Sequence, residues 1–176
     1  MSGDARERIL SAFRDLALES GFDAISVRDI IARAAVARST FYENFENKSD
    51  GFRTILEPVL TPLADACIPG ADRRDLASIL THVRGTPTAR GMGDGTSRAL
   101  FVGALAELIE VRLEVLRARA PSAAGVPLPM IAAWIAEAEI GVIVAWLDAE
   151  RPAPVDAVVT LILTAARSCA EAFVSA

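Results

Sequence analysis

Two stretches near the C-terminus, residues 130–150 and 155–174, are apolar around most of their circumference and are separated only by Arg151-Pro152-Ala153-Pro154. Their periodicity and length predict two long helices. A helix apolar on nearly all sides must be buried on nearly all sides. A chain of 176 residues has little interior room for two of them. A second copy of the chain is the economical cover. Residues 130–147 are also about long enough to span a bilayer, but Glu137 and Glu139 in their middle are costly in lipid. A buried helix of a soluble protein is therefore expected, with no membrane partner.

The same pattern of helices and breakers continues back to the N-terminus. Ile9, Phe13, Leu16, Ala17 and Ser20 share a helical face that Gly21 can end in a left-handed cap. Ser26 with Asp29 reads as the N-cap of a short second helix bearing Val27, Ile30, Ile31 and Ala34. A third helix over 38–44 buries Phe41 and Phe45. Asn47 with Asp50 caps a fourth. Pro58 predicts a bend in that helix, and Pro69-Gly70 its stop. Residues 72–83 form a modest helix. Residues 84–96 hold four glycines and Pro87, a flexible loop and a candidate for missing order. Residues 97–120 are helical, and 121–129 break the chain. An all-α fold follows.

Composition narrows the chemistry. The side chains sum to a net charge of −5, so the protein does not coat nucleic acid along its whole surface. Residues 1–13 carry charges where a signal peptide needs an apolar run, which predicts a cytoplasmic protein. Cys67 and Cys169 fit no zinc or CxxC spacing; they read as packing residues, with redox sensing the alternative. His82, the only histidine, has no ligand partner at metal-binding spacing and reads as an exposed or capping residue near a helix end. No phosphate loop, nucleophile elbow or metal motif is present, so neither an enzyme nor a cofactor site is expected.

The run Ser26-Val-Arg-Asp-Ile-Ile-Ala-Arg-Ala-Ala-Val-Ala-Arg-Ser-Thr-Phe-Tyr-Glu-Asn-Phe45, followed by Glu46-Asn-Lys-Ser-Asp50, resembles the helix-turn-helix of TetR/AcrR-type transcriptional regulators. Caps, spacing and aromatics agree together over about a quarter of the chain. The resemblance implies a three-helix helix-turn-helix domain over 1–50 and a helical ligand-binding and dimerisation domain over 51–176. Arg38, Ser39 and Thr40 open the recognition helix, where side chains meet base edges in the major groove. Tyr42 is placed to offer its hydroxyl to a phosphate, and Asn44 belongs to the same helix. Ser26, Val27 and Arg28 offer backbone N–H groups and a charge to the DNA backbone. Lys48, the only lysine, starts the fourth helix, where an ammonium and a helix N-terminus act together on a phosphate.

The sequence also departs from that pattern. Ala35 stands where the turn usually has glycine, and Ala37 where Ser or Thr caps the recognition helix. Glu43 would repel phosphate. Residues 1–50 carry seven Arg/Lys against nine Asp/Glu. DNA binding then rests on a one-sided arrangement of Arg28, Arg33, Arg38 and Lys48. The implied partners are a double-stranded DNA operator of palindromic form, a small-molecule effector and a second copy of the chain. The implied activity is that of a ligand-responsive repressor. A small-molecule-binding helical dimer with weak or lost DNA binding is the alternative.

The C-terminal half bears a weaker resemblance. Residues 140–147 with Pro152-Ala153-Pro154 look like the G-x4-W-L ending of one TetR subgroup. Ala133, Gly141 and Ala145 permit close helix approach, and Val155, Val159, Ile162, Ala166 and Phe173 supply the other half of a dimer interface. Phe101, Leu105, Leu108, Met130 and Trp134 either line a ligand pocket or form ordinary core. Of Glu137 and Glu139, one faces solvent, or one pairs with a cationic ligand or with an arginine such as Arg112. Glu137 is the candidate ligand contact.

Overall fold

Side-chain caps set where the second and fourth helices start. The computed structural model describes residues 2–84, 86, 95–119 and 125–174. Helix α1 spans Ser2–Ser20 and ends at Gly21, whose φ is 79°. Helix α2 spans Val27–Ala34. The Ser26 hydroxyl accepts the Asp29 N–H, and the Asp29 carboxylate accepts the Ser26 N–H at 2.8 Å, a reciprocal capping box.

The turn after α2 keeps the conformation that glycine favours. Ala35 sits at φ 50°, ψ 49°. A left-handed alanine costs roughly 1–2 kcal/mol. The N–H groups of Ala35 and Val36 bond the carbonyls of Ala32 and Ile31, so the last turn of α2 is closed in a Schellman motif. Val36 and Ile31 both pack on the core beside it. Satisfied carbonyls and this apolar contact offset the strain. Helix α3, Arg38–Asn44, starts at Ala37 without a side-chain cap.

Helix α4 spans Lys48–Ala64, with the Asn47 side chain accepting the Asp50 N–H at 3.0 Å. The expected stop at Pro69-Gly70 needs correction. The helix runs unbroken through Pro58 and Pro62, ends at Ala64 and passes into a 3-10 turn over Asp65–Cys67. The two prolines lie one turn apart on a single face, away from the buried Leu56, Leu60 and Leu63. Core packing on the opposite face keeps the helix continuous although two N–H donors are missing.

The C-terminal half contributes α5, Arg73–Val83; α6, Gly95–Arg119; α7, Leu128–Leu147; and α8, Val155–Val174. The described residues are all helix, turn and loop. Most of the glycine-rich loop expected over 84–96 lies outside the described residues, as do 120–124. Helix α6 packs most extensively on α7 and α4, while α8 packs on α7, α5 and the 3-10 turn. Among the described residues α7 alone is long and apolar enough to cross a membrane, and it packs between α6 and α8. The Trp146 indole N–H donates to the Ala153 carbonyl at 2.8 Å and pins the proline-rich link between α7 and α8.

One core runs through both halves. Phe22 and Phe52 have ring centroids 4.3 Å apart, with Phe13 beside them at 6.4 and 6.0 Å. Phe52 meets Phe101 of α6 edge-on at 5.5 Å. Gly51 allows α4 to approach α1: a Cβ there would stand 2.9 Å from the fully buried Phe13 ring. Gly51→Ala is therefore expected to destabilise the fold by about 1–3 kcal/mol through overpacking, read by urea denaturation. An unchanged midpoint would show that Phe13 has room to move.

Candidate nucleic-acid interface and effector region

The start of α3 presents the polar groups suited to reading bases. Arg38 and Ser39 are exposed and Thr40 is half-buried. The Arg38 guanidinium lies over the Tyr42 ring, 5.5 Å from its centroid. Tyr42 is 46% exposed and packs edge-on against the buried Phe41 at 5.3 Å. This stack gives Arg38 a supported direction at the helix N-terminus, where a recognition helix meets base edges. Arg28 is exposed in the first turn of α2. Among the described residues neither Arg28 nor Arg38 has a carboxylate within ion-pair distance.

Several expected contacts are occupied within the protein. Ser26 donates both its N–H and its hydroxyl to Asp29, at 2.8 and 2.6 Å, so it keeps no donor for a phosphate. Those bonds hold the Asp29 carboxyl below its usual range. The N–H groups of Val27 and Arg28 at the start of α2 carry that role alone. The Asn44 amide turns back to the Thr40 carbonyl at 2.7 Å. Arg33 pairs through two bonds, 3.0 and 2.8 Å, with Glu19 of α1. The one-sided set of four cations thus reduces to Arg28 and Arg38.

Lys48 is the largest departure. Its ammonium donates to the carbonyls of Phe22 and Ile25, both at 2.9 Å, and lies 3.9 Å from the centroid of the Phe22 ring. Burial lowers its pKa, while the nearby Asp23 carboxylate acts the other way. Two of its three protons are committed to the loop between α1 and α2. The side chain is a clasp across that loop rather than a hand extended to DNA.

This arrangement of capped helices agrees with the comparisons. Residues 9–53 match the family model described as bacterial regulatory proteins, tetR family. The N-terminal region of the chain is thus similar to that of TetR-family regulators. YdeS of Bacillus subtilis (strain 168), described as an HTH-type transcriptional regulator, is 32% identical over 111 residues, 63% of this chain and 54% of that protein. The chain thus spans about half the length of the curated relative it matches. A TetR-family regulator from Streptomyces coelicolor aligns over 96% of this chain and 95% of its own, with 21% identity and a TM-score of 0.62. A TetR transcriptional regulator from Streptococcus agalactiae covers 94% of both chains at 22% identity and a TM-score of 0.58. RolR in complex with resorcinol covers 96% of this chain and 94% of its own at 17% identity and a TM-score of 0.52. These structures show a TetR fold.

Of the six expected effector contacts only Met130 and Trp134 share a site, an apolar groove with Cys169 and Phe173. Phe101 and Leu105 are sealed in the core. Leu108 lines a shallow site with Arg53, Thr54, Glu57 and Glu107. Met130 and Trp134, 64% and 58% exposed, stand on the outer face of α7. Glu137 is exposed and pairs with Arg98 of α6. Arg112 pairs with Asp65 at 2.9 Å instead of with a carboxylate of α7. The reason lies in the helical stripe: positions 128, 131, 132, 135, 136, 139, 140 and 143 of α7 are buried, and Glu137 falls outside it.

Glu139 falls on that stripe, and the choice of Glu137 passed it over. Both its carboxyl oxygens are buried without a hydrogen-bond partner, and burial pushes its pKa well above the usual range. The expected dimer residues also divide. Val159, Ile162 and Ala166 are buried within their own chain and Val155 is half-buried, whereas Ala133, Gly141, Ala145 and Phe173 are exposed. Cys67 is buried, its thiol donating to the Ala64 carbonyl and pushed up to about 12 by burial first and Glu139 second. His82 is exposed in the last turn of α5.

Two stability measurements follow. Lys48→Ala should cost about 1–3 kcal/mol, because it leaves the Ile25 carbonyl without its side-chain donor and the Phe22 carbonyl with only the long Ile25 N–H bond at 3.4 Å; denaturant midpoints read it, and a neutral result would mean water replaces the ammonium without loss. Glu139 has a raised folded-state pKa, so its contribution is full below the unfolded value and is lost as pH rises. Glu139→Gln should therefore gain on the wild type by up to about 1.4 kcal/mol per pH unit above pH ~4.3, until the folded-state pKa is passed. Parallel urea curves for Glu139→Gln and wild type should diverge in this sense between pH 5 and pH 7.

Proposed function

We propose that the chain is a ligand-responsive transcriptional repressor that binds a palindromic operator as a homodimer. The observation that carries this reading is the start of α3, where Arg38, supported on Tyr42, stands beside Ser39 and Thr40 at the exposed end of a seven-residue helix. Such a helix is about 10 Å long, a size that a major groove admits. The domain boundary belongs to the same proposal. Residues 1–50 read DNA and 51–176 respond, with α4 crossing from one to the other.

The dimer would use the outer faces of α7 and α8. Gly141, Ala145 and Leu161 are exposed there, and Leu161 is 52% so. Small residues admit a second helix closely, and a two-fold pair brings two α3 helices to half-sites roughly 34 Å or more apart. An effector would act by favouring a form whose α3 spacing does not fit the operator. RolR, a protein of this fold, is in complex with resorcinol, which supports a small-molecule effector as the general mode.

The occupied state of Arg33 and Lys48 sets the expected salt dependence. With Arg28 and Arg38 as the free cations in each copy, a dimer neutralises about four phosphates. The logarithm of affinity then falls against the logarithm of salt concentration with a slope near −4. Fluorescence anisotropy with DNA flanking the protein's own gene measures it. Arg38→Ala should weaken specific binding by about 1–3 kcal/mol while leaving the subunit association unchanged. Saturable, sequence-dependent binding absent at both low and moderate salt would favour a helical ligand-binding dimer without operator recognition. Glu43, exposed on α3, is the feature that supports that second reading.

A further inference from the structure

The side of α8 that turns toward α5 carries a basic pocket for which operator binding has no use. It has a volume of ≈ 290 Å³ and is lined by Arg73 of α5 and by Thr160, Leu163, Thr164, Arg167 and Ser168 of α8. Two guanidinium groups and no carboxylate belong to that lining. Arg73, in the first turn of α5, reaches across to α8. It donates to the Asp156 carbonyl at 2.9 Å and to the Thr160 hydroxyl at 2.6 Å. Both bonds come from Nη2, so Nε and Nη1 keep their N–H donors.

Arg167 stands two turns beyond Thr160 on the same side of α8, about 10 Å along the axis. Side chains on a helix lean toward its N-terminus, so the head of Arg167 is carried back over residues 163 and 164, toward the anchored Arg73. Its Nε is buried and has no hydrogen-bond partner, so one edge of the guanidinium is already stripped of water. Among the described residues no carboxylate lies within ion-pair distance of it. The surrounding acids do little for the pair. Asp156 is 4.0 Å from Arg73, and its side chain is 84% exposed. Asp72 caps α5 by accepting the Arg74 N–H at 2.7 Å. Asp75 and Glu171 are exposed and pair with neither arginine. Two cations at one pocket repel each other, and an anion between them relieves the repulsion.

We propose that this pocket binds a phosphate group, as the free ion or as the head of a small organic phosphate ester. Guanidinium forks meet oxyanions in bidentate geometry. Two forks offer more donors than the two oxygens of a carboxylate can take up, and a phosphate has oxygens for both. The pocket is separate from the proposed subunit face. Around the helix, Thr160 and Arg167 lie about 100–120° from Leu161, on the side where α8 packs on α5. Thr164 and Ser168 form the rim between the two surfaces. No residue of α2 or α3 lines the pocket, so the operator backbone is not its phosphate. The inference does not rest on the regulator reading: a phosphate joining α5 to α8 binds whether or not the chain reads DNA.

The test uses the full chain in low-chloride buffer, with inorganic phosphate, glucose 6-phosphate, glucose and acetate as probes. Calorimetry reads affinity, and sedimentation velocity reads the oligomeric state of the same samples. The expected result is saturable binding of phosphate, with no heat from glucose and acetate weaker by about tenfold or more. Tighter glucose 6-phosphate identifies an ester as the ligand, and tighter inorganic phosphate identifies the free ion. Arg167→Gln is the decisive variant, because Arg167 makes no bond within the chain that its loss would break. Phosphate affinity should fall about tenfold or more, with the denaturation midpoint unchanged. Arg73→Gln should lose affinity as well, and stability with it, since it also unties α5 from α8. Absence of phosphate binding overturns the proposal, and so does acetate binding as tightly as phosphate or an affinity that survives in Arg167→Gln. A dimer weakened in Arg167→Gln, with no phosphate bound by the wild type, would assign this arginine to a contact between copies and overturn the proposal too. The comparison of probes on the wild type stands even if a variant does not fold. Operator binding is measured alongside, and its failure leaves this site intact.

Discussion

The contact on which the reading end of the molecule depends is the Lys48 ammonium over the Phe22 ring. From the first turn of α4 it gathers the carbonyls of Phe22 and Ile25, the two ends of the loop that turns α1 into α2. That loop sets where Ser26 caps α2, and α2 with its Ala35 turn sets where α3 begins. A cation half-withdrawn from water is costly. Two carbonyl acceptors and an aromatic face return much of that cost in one place. Arg33 and Glu19 make the second tie, between α2 and α1, at the surface, where a pair of this kind contributes little to stability but still limits the angle between helices.

The same loop is the meeting point of the two halves. The Ser97 hydroxyl, at the buried start of α6, donates to Asp23 at 2.7 Å, one residue from the carbonyl that Lys48 holds. Phe101, one turn along α6, stands edge-on to Phe52 of α4, and Arg53 pairs with Glu107 at 2.8 Å. A movement of α6 is therefore felt at Asp23 and at the start of α4 together. In the proposed regulator, this gives a ligand among α6, α7 and α8 a physical route to the spacing of the recognition helices. The route requires α6 to have two positions, because coupling needs an element whose equilibrium both ends bias.

Much of this was legible in the sequence wherever a local rule had one answer. Ser26 with Asp29, Asn47 with Asp50, and Gly21 all act as caps where their spacing placed them. Helical periodicity also gave the long C-terminal helices. What failed was anything that depended on which of two neighbours a side chain would choose. Lys48 at a helix start satisfies the rule for a phosphate contact, yet the Phe22 and Ile25 carbonyls lie 26 and 23 positions away in sequence and compete for it. Pro69-Gly70 obeys the rule for a helix stop, but α4 already ends at Ala64 and passes into the 3-10 turn. Glu137 and Glu139 differ by two positions, which on a helix is about half a turn, so they face opposite sides. The buried stripe of α7 was present in the sequence and decided between them, had it been counted residue by residue.

The acidic balance of the N-terminal region also looks different once its pairs are known. Of the groups that oppose phosphate there, Glu19 is tied to Arg33, Glu7 to Arg14, and the Asp29 and Asp50 carboxylates accept the N–H groups of Ser26 and Glu46. Two of the cations are thus consumed, but so are four of the nine anions. What matters for a nucleic acid is the local field at the N-termini of α2 and α3, where Arg28, Arg38 and unbonded N–H groups gather. Glu43 is the one carboxylate carried by α3 itself, and it lies toward the helix's C-terminal end. In the regulator proposed above, the consequence is a reading face that relies on hydrogen-bond geometry more than on charge. Such a face gives a modest affinity for arbitrary DNA and leaves most of its discrimination to the base edges that Arg38, Ser39 and Thr40 can reach.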